Sequence, residues 1–420
     1  MEAERKSIMT LKMEVVEQAG HIQTLVASLL EEWEGSTSSE PPFDTSRWNL
    51  LSTQLQTVAE RLITLTASPR SFIRTLQVRH YDLVAYQIAL EFDLFTAIPI
   101  GQTATISVIA ERAGVDPDRV GRALRLLGVH GVFCEIEEDC FGHTQVSELI
   151  AQDEAIRSAL AIQIDEMFKA ASSTADAIRE SPLEQNKDIS PFSVRFGTPI
   201  YDFYQQNPDK ANRFGLGMKG ASDLERDALL SLRDAYPWSK FAGGTIVDVG
   251  GGMGHVSIFL AESFPSLSFV VQDIFPPSPT MTEGNKLATN VEFCRHDFFQ
   301  PQPITPNARA YLLKHALHNQ SDADCVRILS ALVPALEQAG SQTTPLLINE
   351  GVLPEFGQEI PRDQHLTLRR GDMCMMVTLG AKERTSRQFQ ALLSAADSRF
   401  QIRNIYGDKV TKLIEVYLSE

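Results

Sequence analysis

T-I-V-D-V-G-G-G-M-G-H, residues 245–255, decides the fold of this chain. Residues 245–249 read as a buried strand. Gly250, Gly251, Gly252 and Gly254 follow as a loop almost without side chains, and residues 255–264 read as a helix. Glycine lets a backbone come close to a ligand where a Cβ would stand in the way. The next apolar run, F-V-V-Q-D, ends in an acid at Asp273. An acid about 20 residues beyond such a loop, at the end of the following strand, is placed to accept hydrogen bonds from ribose hydroxyls. The pattern predicts a nucleoside-cofactor site.

Outward from this stretch, apolar strand candidates recur at 268–272, 291–295, 310–313, 345–349, 401–406 and 413–418, with helical segments between most of them. That alternation predicts a doubly wound, mostly parallel α/β sheet. Only residues 407–412 separate the last two runs, so they are expected to form an antiparallel hairpin. Upstream, Ile8, Leu11, Val15, Ile22, Leu25 and Leu29 recur at helical spacing, residues 35–44 have linker composition, and Trp48, Leu51, Leu55, Val58, Leu62 and Leu65 form a heptad-like stripe. The stripe suits either a core-facing helix or a subunit interface. Residues 105–133 read as helix, turn, helix, and 132–136 with 141–144 as a hairpin, together a winged helix. Its tip carries Glu135, Glu137, Glu138 and Asp139, which would repel phosphates, so a packing or dimerisation role is expected rather than DNA binding.

Composition narrows the classes further. In 420 residues, 43% are hydrophobic and 22% charged, the balance of a folded globular protein, and the net charge is −16. Such an acidic chain is not expected to bind nucleic acid or an anionic membrane by bulk electrostatics. The five cysteines are scattered, with no metal-ligand or disulfide spacing. No run of about 18 apolar residues offers a membrane span, and the amphipathic start does not resemble a signal peptide. A reducing, cytoplasmic location is the expectation.

Ligands of open parallel sheets bind beyond the carboxyl ends of the strands. Asp273, Asp297, Lys314, His318 and Glu350 all fall at or just past such ends. Their shared location favours a site over the separate roles of cap, solvated charge or loop histidine. Ser321–Asp324 has the pattern of a capping box, which would set His318 in a short, fixed connection. A positioned imidazole with an ordinary pKa near ~6.5 suits proton removal at neutral pH. Glu350, on the neighbouring strand, is placed to fix its tautomer as the third member of a triad does. Glu383 in G-A-K-E-R-T is a second acid candidate; it could equally be a surface acid paired with Lys382 or Arg384.

V-D-V-G-G-G-M-G-H, Q-D at Asp273, H-D-F-F at Asp297, L-L-K-H-A-L-H at His318, I-N-E-G at Glu350 and G-A-K-E-R-T at Glu383 occur in order. Together they resemble the S-adenosylmethionine-dependent O-methyltransferases of the plant caffeate/flavonoid type, in their fungal secondary-metabolite branch, over roughly residues 70–420. The resemblance implies a Rossmann-like class I methyltransferase sheet at 196–420 and an N-terminal all-α/winged-helix dimerisation domain at 1–195, in a homodimer. It implies that Gly250, Gly252 and Gly254 line the methionine part of S-adenosyl-L-methionine, Asp273 binds the ribose, Asp297 and Phe298 hold the adenine, and Lys314 adds a contact. It makes His318 the general base, flanked by Glu350 and Glu383, and Phe214, Met218, Met375, Met376 and Thr378 the wall of the acceptor pocket. No metal is implied. The acceptor implied is a hydroxyl, phenolic in type, on a polyketide-like small molecule.

One departure stands out. The family usually reads L-H-D-W where this chain has L-H-N-Q, Leu317–Gln320. Some fungal chains of similar pattern bind the cofactor without methylating and act as pericyclases or dehydratases in polyketide–amino-acid biosynthesis. Retention of His318 favours methyl transfer; a cofactor-sensing scaffold is the third expectation and the acidic surface disfavours it.

Overall fold

Strong local signals set the elements of this computed structural model, which describes residues 2–35, 45–183, 187–224, 226–274, 290–407 and 410–419. The chain divides into two compact units, residues 1–83 with 361–363 and residues 84–360 with 364–420.

The first unit is built on helices Glu2–Glu34 and Ser46–Thr66. The Thr45 hydroxyl caps the second helix by accepting from Trp48 N at 3.1 Å. The six residues of the heptad-like stripe are all half-buried. Trp33 meets Trp48 edge to face at 6.4 Å, and Arg61 Nε donates to Glu14 at 2.8 Å. Residues 36–44 of the expected linker lie outside the described residues. Leu29 is buried, whereas Leu11, Met13, Val16, Leu50, Ile63, Phe72 and Ile73 are each more than 40% exposed.

In the second unit, helices Ile106–Ala113 and Pro117–Val129 flank the turn at Gly114, whose φ of 66° suits glycine. Strands β1 (Thr103–Thr105), β2 (Phe133–Glu137) and β3 (Cys140–His143) form a small antiparallel sheet in the order β1-β3-β2. Ile106, Ile109, Val120, Leu124, Leu127, Phe133 and Phe141 make one core between helices and sheet. At the hairpin tip, Arg125 binds both Glu135 and Asp139.

The main sheet comprises β4 (Thr245–Val249), β5 (Ser268–Asp273), β6 (Val291–Arg295), β7 (Ala308–Lys314), β8 (Leu346–Leu353), β9 (Arg384–Thr385), β10 (Phe400–Tyr406) and β11 (Thr411–Leu418). Its order is β10-β11-β8-β7-β4-β5-β6, with β9 added beside β8. Strands β4 to β8 pair in parallel, and β11 runs antiparallel to both β8 and β10. Alternate residues of β4 serve opposite faces: Val247 and Val249 join Leu313, Ile328, Ile348 and Val416, while Ile246 joins Trp238, Leu260, Phe269 and Leu312. This two-sided burial explains the near-continuous apolar runs that made the strands legible. The chain leaves β4 toward β6 and returns to its other side at β7. The switch point therefore lies at the carboxyl ends of β4 and β7, where ligands of such sheets bind.

The polar sequence N-E-G makes Glu350 look like the end of β8. The strand instead runs on to Leu353, because Glu350 pairs with Lys412 of β11 and its side chain is fully buried. The short β9 gives no periodic signal of its own.

Candidate active site

The glycine loop after β4 is a bare concave backbone. Gly250, Gly252 and Gly254 adopt φ of 75°, 56° and 72°, a region that side chains disfavour. Two of the close approaches explain the sequence. A Cβ on Gly254 would lie 2.8 Å from the Phe293 ring, and one on Gly251 would lie 2.6 Å from the buried Asp248 carboxyl. Around Gly252, by contrast, a Cβ would meet nothing within 4 Å, so that side of the loop is open to a guest. Gly254→Ala is expected to lower the melting temperature by several degrees, since αL strain costs roughly 1–2 kcal/mol and the added Cβ would meet the Phe293 ring; a thermal melt reads the change.

The residues around the loop are joined by direct contacts. Gly252 N donates to Asp273 Oδ2 at 3.1 Å, fixing the last residue of β5 against the loop. Phe298 packs on Gly250, 3.3 Å from where a Cβ would stand. Asp297 accepts from Phe299 N at 3.0 Å, which forms the turn that presents Phe298. Lys314 ends β7, its Nζ 3.3 Å from His315 Nδ1. Asp248 lies beneath the loop, accepting from Ser257 at 2.6 Å; burial, outweighing that bond, raises its pKa to about 6.

His318 sits in the 3₁₀ turn Leu317–Asn319 between β7 and helix Asp322–Gly340. Ser321 caps that helix through Asp324 N at 3.1 Å, the N-cap half of the expected capping box; the Asp324 carboxylate accepts from the Ser321 hydroxyl instead of its backbone N–H. His318 Nδ1 lies 2.8 Å from Glu383 Oε1 and 3.5 Å from Glu350 Oε2. A carboxylate can only accept, so the ring proton is assigned to Nδ1 and Nε2 keeps its lone pair. The partner across the hydrogen bond is thus Glu383, not Glu350. Glu350 uses Oε1 to accept from Ala316 N at 2.9 Å and Leu317 N at 2.8 Å, so it builds the turn while its other oxygen faces the imidazole. Glu383 is buried and does not pair with Lys382 or Arg384; both of those bind Asp322 instead.

Burial opposes charge on His318, but the Glu350 charge and the Glu383 hydrogen bond outweigh it and hold its pKa above the ordinary value. Burial raises the Glu350 pKa, the His318 charge and the two backbone N–H groups opposing. Donor atoms of His318, Glu350 and Glu383 lie within 4.8 Å of one another.

Helix Arg362–Leu379 carries Met375, Met376 and Thr378. It is tied to the partner of His318, because Asp372 on it accepts from Glu383 N at 3.0 Å. Both methionines are half-buried, while Thr378 is buried and donates to Cys374 O at 2.7 Å. Phe214 and Met218 lie on helix Pro208–Leu224. Phe214 packs on Tyr204 at 4.4 Å in an apolar cluster with Val377, and Met218 is 42% exposed. The Thr378 hydroxyl is engaged within its own helix, which leaves its methyl as the part suited to lining a pocket.

A glycine loop at the switch point and a carboxylate-bound imidazole in the turn after β7 suit group transfer from a nucleoside cofactor, and residues 172–399 match the model of an O-methyltransferase domain. The chain belongs to the O-methyltransferase family. It is 38% identical over 412 residues to the O-methyltransferase sol2 of Alternaria solani, covering 96% of this chain and 94% of that one. Among solved structures, OxaC in complex with SAH and oxaline superposes with a TM-score of 0.75 at 20% identity, covering 97% of this chain and all of that one. The structure of a pericyclic reaction enzyme superposes with a TM-score of 0.73 at 19% identity, covering 96% of this chain and all of that one. These two likenesses concern the fold alone. The chain is an S-adenosylmethionine-dependent O-methyltransferase.

Sequence reasoning missed two supports of the His318 turn. Arg384, 1% exposed, donates to Leu317 O, Gln320 O and Asp322, which clamps both ends of the His318 turn. Asn319 Nδ2 donates to His315 O at 3.0 Å. The departure from L-H-D-W therefore has a structural use, since an ionised carboxylate could not donate that bond. A cation next to Glu383 in G-A-K-E-R-T was visible, but its burial was not.

Proposed function

We propose that the enzyme methylates a phenolic hydroxyl of a polyketide-type secondary metabolite, with His318 as the general base. The observation that carries this is the His318–Glu383 pair at 2.8 Å with Glu350 at 3.5 Å. His318 Nε2 makes no hydrogen bond among the described residues, so it is open to an acceptor proton. A phenol ionises near pH ~10, within reach of an imidazole whose proton affinity two carboxylates raise, whereas an aliphatic alcohol is several units less acidic. The methionines of helix Arg362–Leu379 suit a flat aromatic guest because they adapt their shape.

The glycine loop and Asp273 fit the cofactor: the open side of Gly252 admits it, and Asp273 is held where ribose hydroxyls need an acceptor. S-adenosylmethionine, when bound, supplies an electrophilic methyl group on a sulfonium whose leaving group is a neutral thioether. In this reading Asp273 and Gly252 orient the nucleoside, and Asp297 and Phe298 flank the adenine. Lys314 adds a contact, and Gly250 and Gly254 admit the methionine portion. His318 takes the hydroxyl proton at Nε2 while Glu383 and Glu350 stabilise the resulting imidazolium. Alignment accounts for ~7–11 kcal/mol of barrier when the geometry is right, and the base for ~10²–10⁴-fold. Phe214, Met218, Met375, Met376 and Thr378 wall the acceptor.

Residues 1–195 form the dimerisation part of a homodimer and 196–420 the cofactor domain in this proposal. The exposed apolar side chains of the first unit support it, as a surface that a second copy would cover. A cytoplasmic location accords with five free thiols; among the described residues no helix is long and apolar enough to cross a membrane.

Mass spectrometry of a reaction with the pathway intermediate and methyl-labelled cofactor tests the proposal. One labelled methyl on oxygen is the expected product. An isomer of the precursor with the cofactor unconsumed would establish pericyclic chemistry instead, and loss of water a dehydratase. Asp273→Ala should weaken S-adenosylhomocysteine binding at least about tenfold, because hydrogen bonds to charged groups contribute roughly 1.5–3 kcal/mol; equal affinity by calorimetry would remove Asp273 from the ribose role.

A further inference from the structure

His315 stands between the two halves of the site, and its backbone is unusual. Its φ is 48°, a left-handed conformation that non-glycine residues adopt rarely and that gathers at functional sites. Two bonds from different elements impose it: His315 N donates to Asn349 O on β8 at 3.1 Å, and His315 O accepts from Asn319 Nδ2 at 3.0 Å. This conformation brings the ring against His318, with centroids 5.1 Å apart and planes inclined by 25°. On its edge, Nδ1 lies 3.3 Å from Lys314 Nζ. An ammonium can only donate, so Nδ1 is the acceptor and the ring is neutral. Burial, then the charges of Lys314, His318 and His255, keep it neutral by lowering its pKa well below the ordinary value.

We propose that His315 is a positioning residue that aligns the base and the cofactor-contacting lysine together: its face sets the plane of His318, and its Nδ1 orients Lys314. The proposal rests on the reading of His318 as base. Glu383 fixes one edge of the His318 ring, but a hydrogen bond at Nδ1 leaves rotation about that bond open. A ring stacked on its face closes this freedom, so that Nε2 keeps one direction. The same imidazole gives the Lys314 ammonium an uncharged acceptor.

Two substitutions separate the roles. His315→Asn tolerates the left-handed backbone and can still accept from Lys314, but it removes the stacked ring. His315→Phe keeps a ring and removes the acceptor. The expected result is a double dissociation at saturating cofactor. His315→Asn should lower kcat at least about tenfold with S-adenosylhomocysteine affinity within about threefold of the parent. His315→Phe should weaken that affinity about tenfold while kcat falls by less than about threefold. Thermal melts of both variants accompany the kinetics. If both variants move kcat and affinity alike, or neither moves, His315 has no divided positioning role. His318→Ala, run in parallel, distinguishes this failure from that of the base assignment: unchanged turnover there overturns the base, while calorimetry of the two His315 variants still reads the Lys314 half.

Discussion

His318→Ala lowers turnover by at least about two orders of magnitude while S-adenosylhomocysteine affinity stays within a few-fold of the parent, on the usual contribution of a positioned base of ~10²–10⁴. The expectation follows from where the side chain is held. Its turn is braced by Glu350 through two backbone N–H groups and by Arg384 through two carbonyls, so loss of the imidazole leaves the scaffold and the glycine loop in place. The pH profile gives a second check. The base works only when neutral, and Glu350 and Glu383 raise its pKa against the effect of burial. The acid limb of kcat should therefore lie above the ordinary histidine value of ~6.5. Glu383→Gln removes one charge and exchanges the carboxylate acceptor for an amide, so the limb moves to lower pH as the plateau falls. A limb that stays put in Glu383→Gln would detach Glu383 from the base, and unchanged turnover in His318→Ala would end its role altogether.

Arg384→Met is expected to lower the melting temperature by several degrees and to reduce kcat at least about tenfold, with cofactor affinity nearly retained. The guanidinium is 1% exposed and donates to Leu317 O at 2.9 Å, Gln320 O at 2.8 Å and Asp322 Oδ1 at 2.8 Å. Methionine fills much of the volume but donates nothing. Leu317 O keeps Gln320 N at 3.1 Å and the Cys325 thiol at 3.2 Å, whereas Gln320 O is left facing the Cys325 thiol at 3.8 Å. Orphaned buried groups cost about 1–3 kcal/mol each, and at roughly 2–4 °C per kcal/mol in a large domain the melt should register the loss. The kinetic loss comes from the turn Leu317–Asn319, since a displacement of about 1 Å can cost on the order of 10² in rate. A lower melting temperature with unchanged kcat would confine Arg384 to stability.

The sequence was most legible where burial is two-sided. β4 and β6 match their apolar runs to the residue, and β5, β7, β10 and β11 lie within two residues of theirs, because parallel strands covered on both faces carry unbroken apolar runs. Asp273 and Lys314 fall on strand ends as read, and His318 falls in the expected short connection. Glu350 misled because a buried, hydrogen-bonded carboxylate inside a strand looks from sequence like a strand end. The choice between Glu350 and Glu383 as the hydrogen-bond partner depended on a contact 65 residues apart in the chain, which no periodicity encodes. Arg384 and His315 escaped for the same reason: one looks like a surface cation and the other like one more residue of an apolar strand end.

Glu383 reaches the imidazole from the segment that follows helix Arg362–Leu379, close enough to Gly351 that a Cβ there would stand 3.0 Å from its Oε2. Its amide is meanwhile pinned to Asp372 within that helix. With that helix walling the acceptor as proposed, reshaping it for a bulkier or slimmer guest would drag the acid with it, and guest choice and proton affinity would be inherited as one trait. Chimeras that exchange this helix between relatives should therefore be spliced beyond Thr385, not at Leu379, if the hybrid is to keep its working pH.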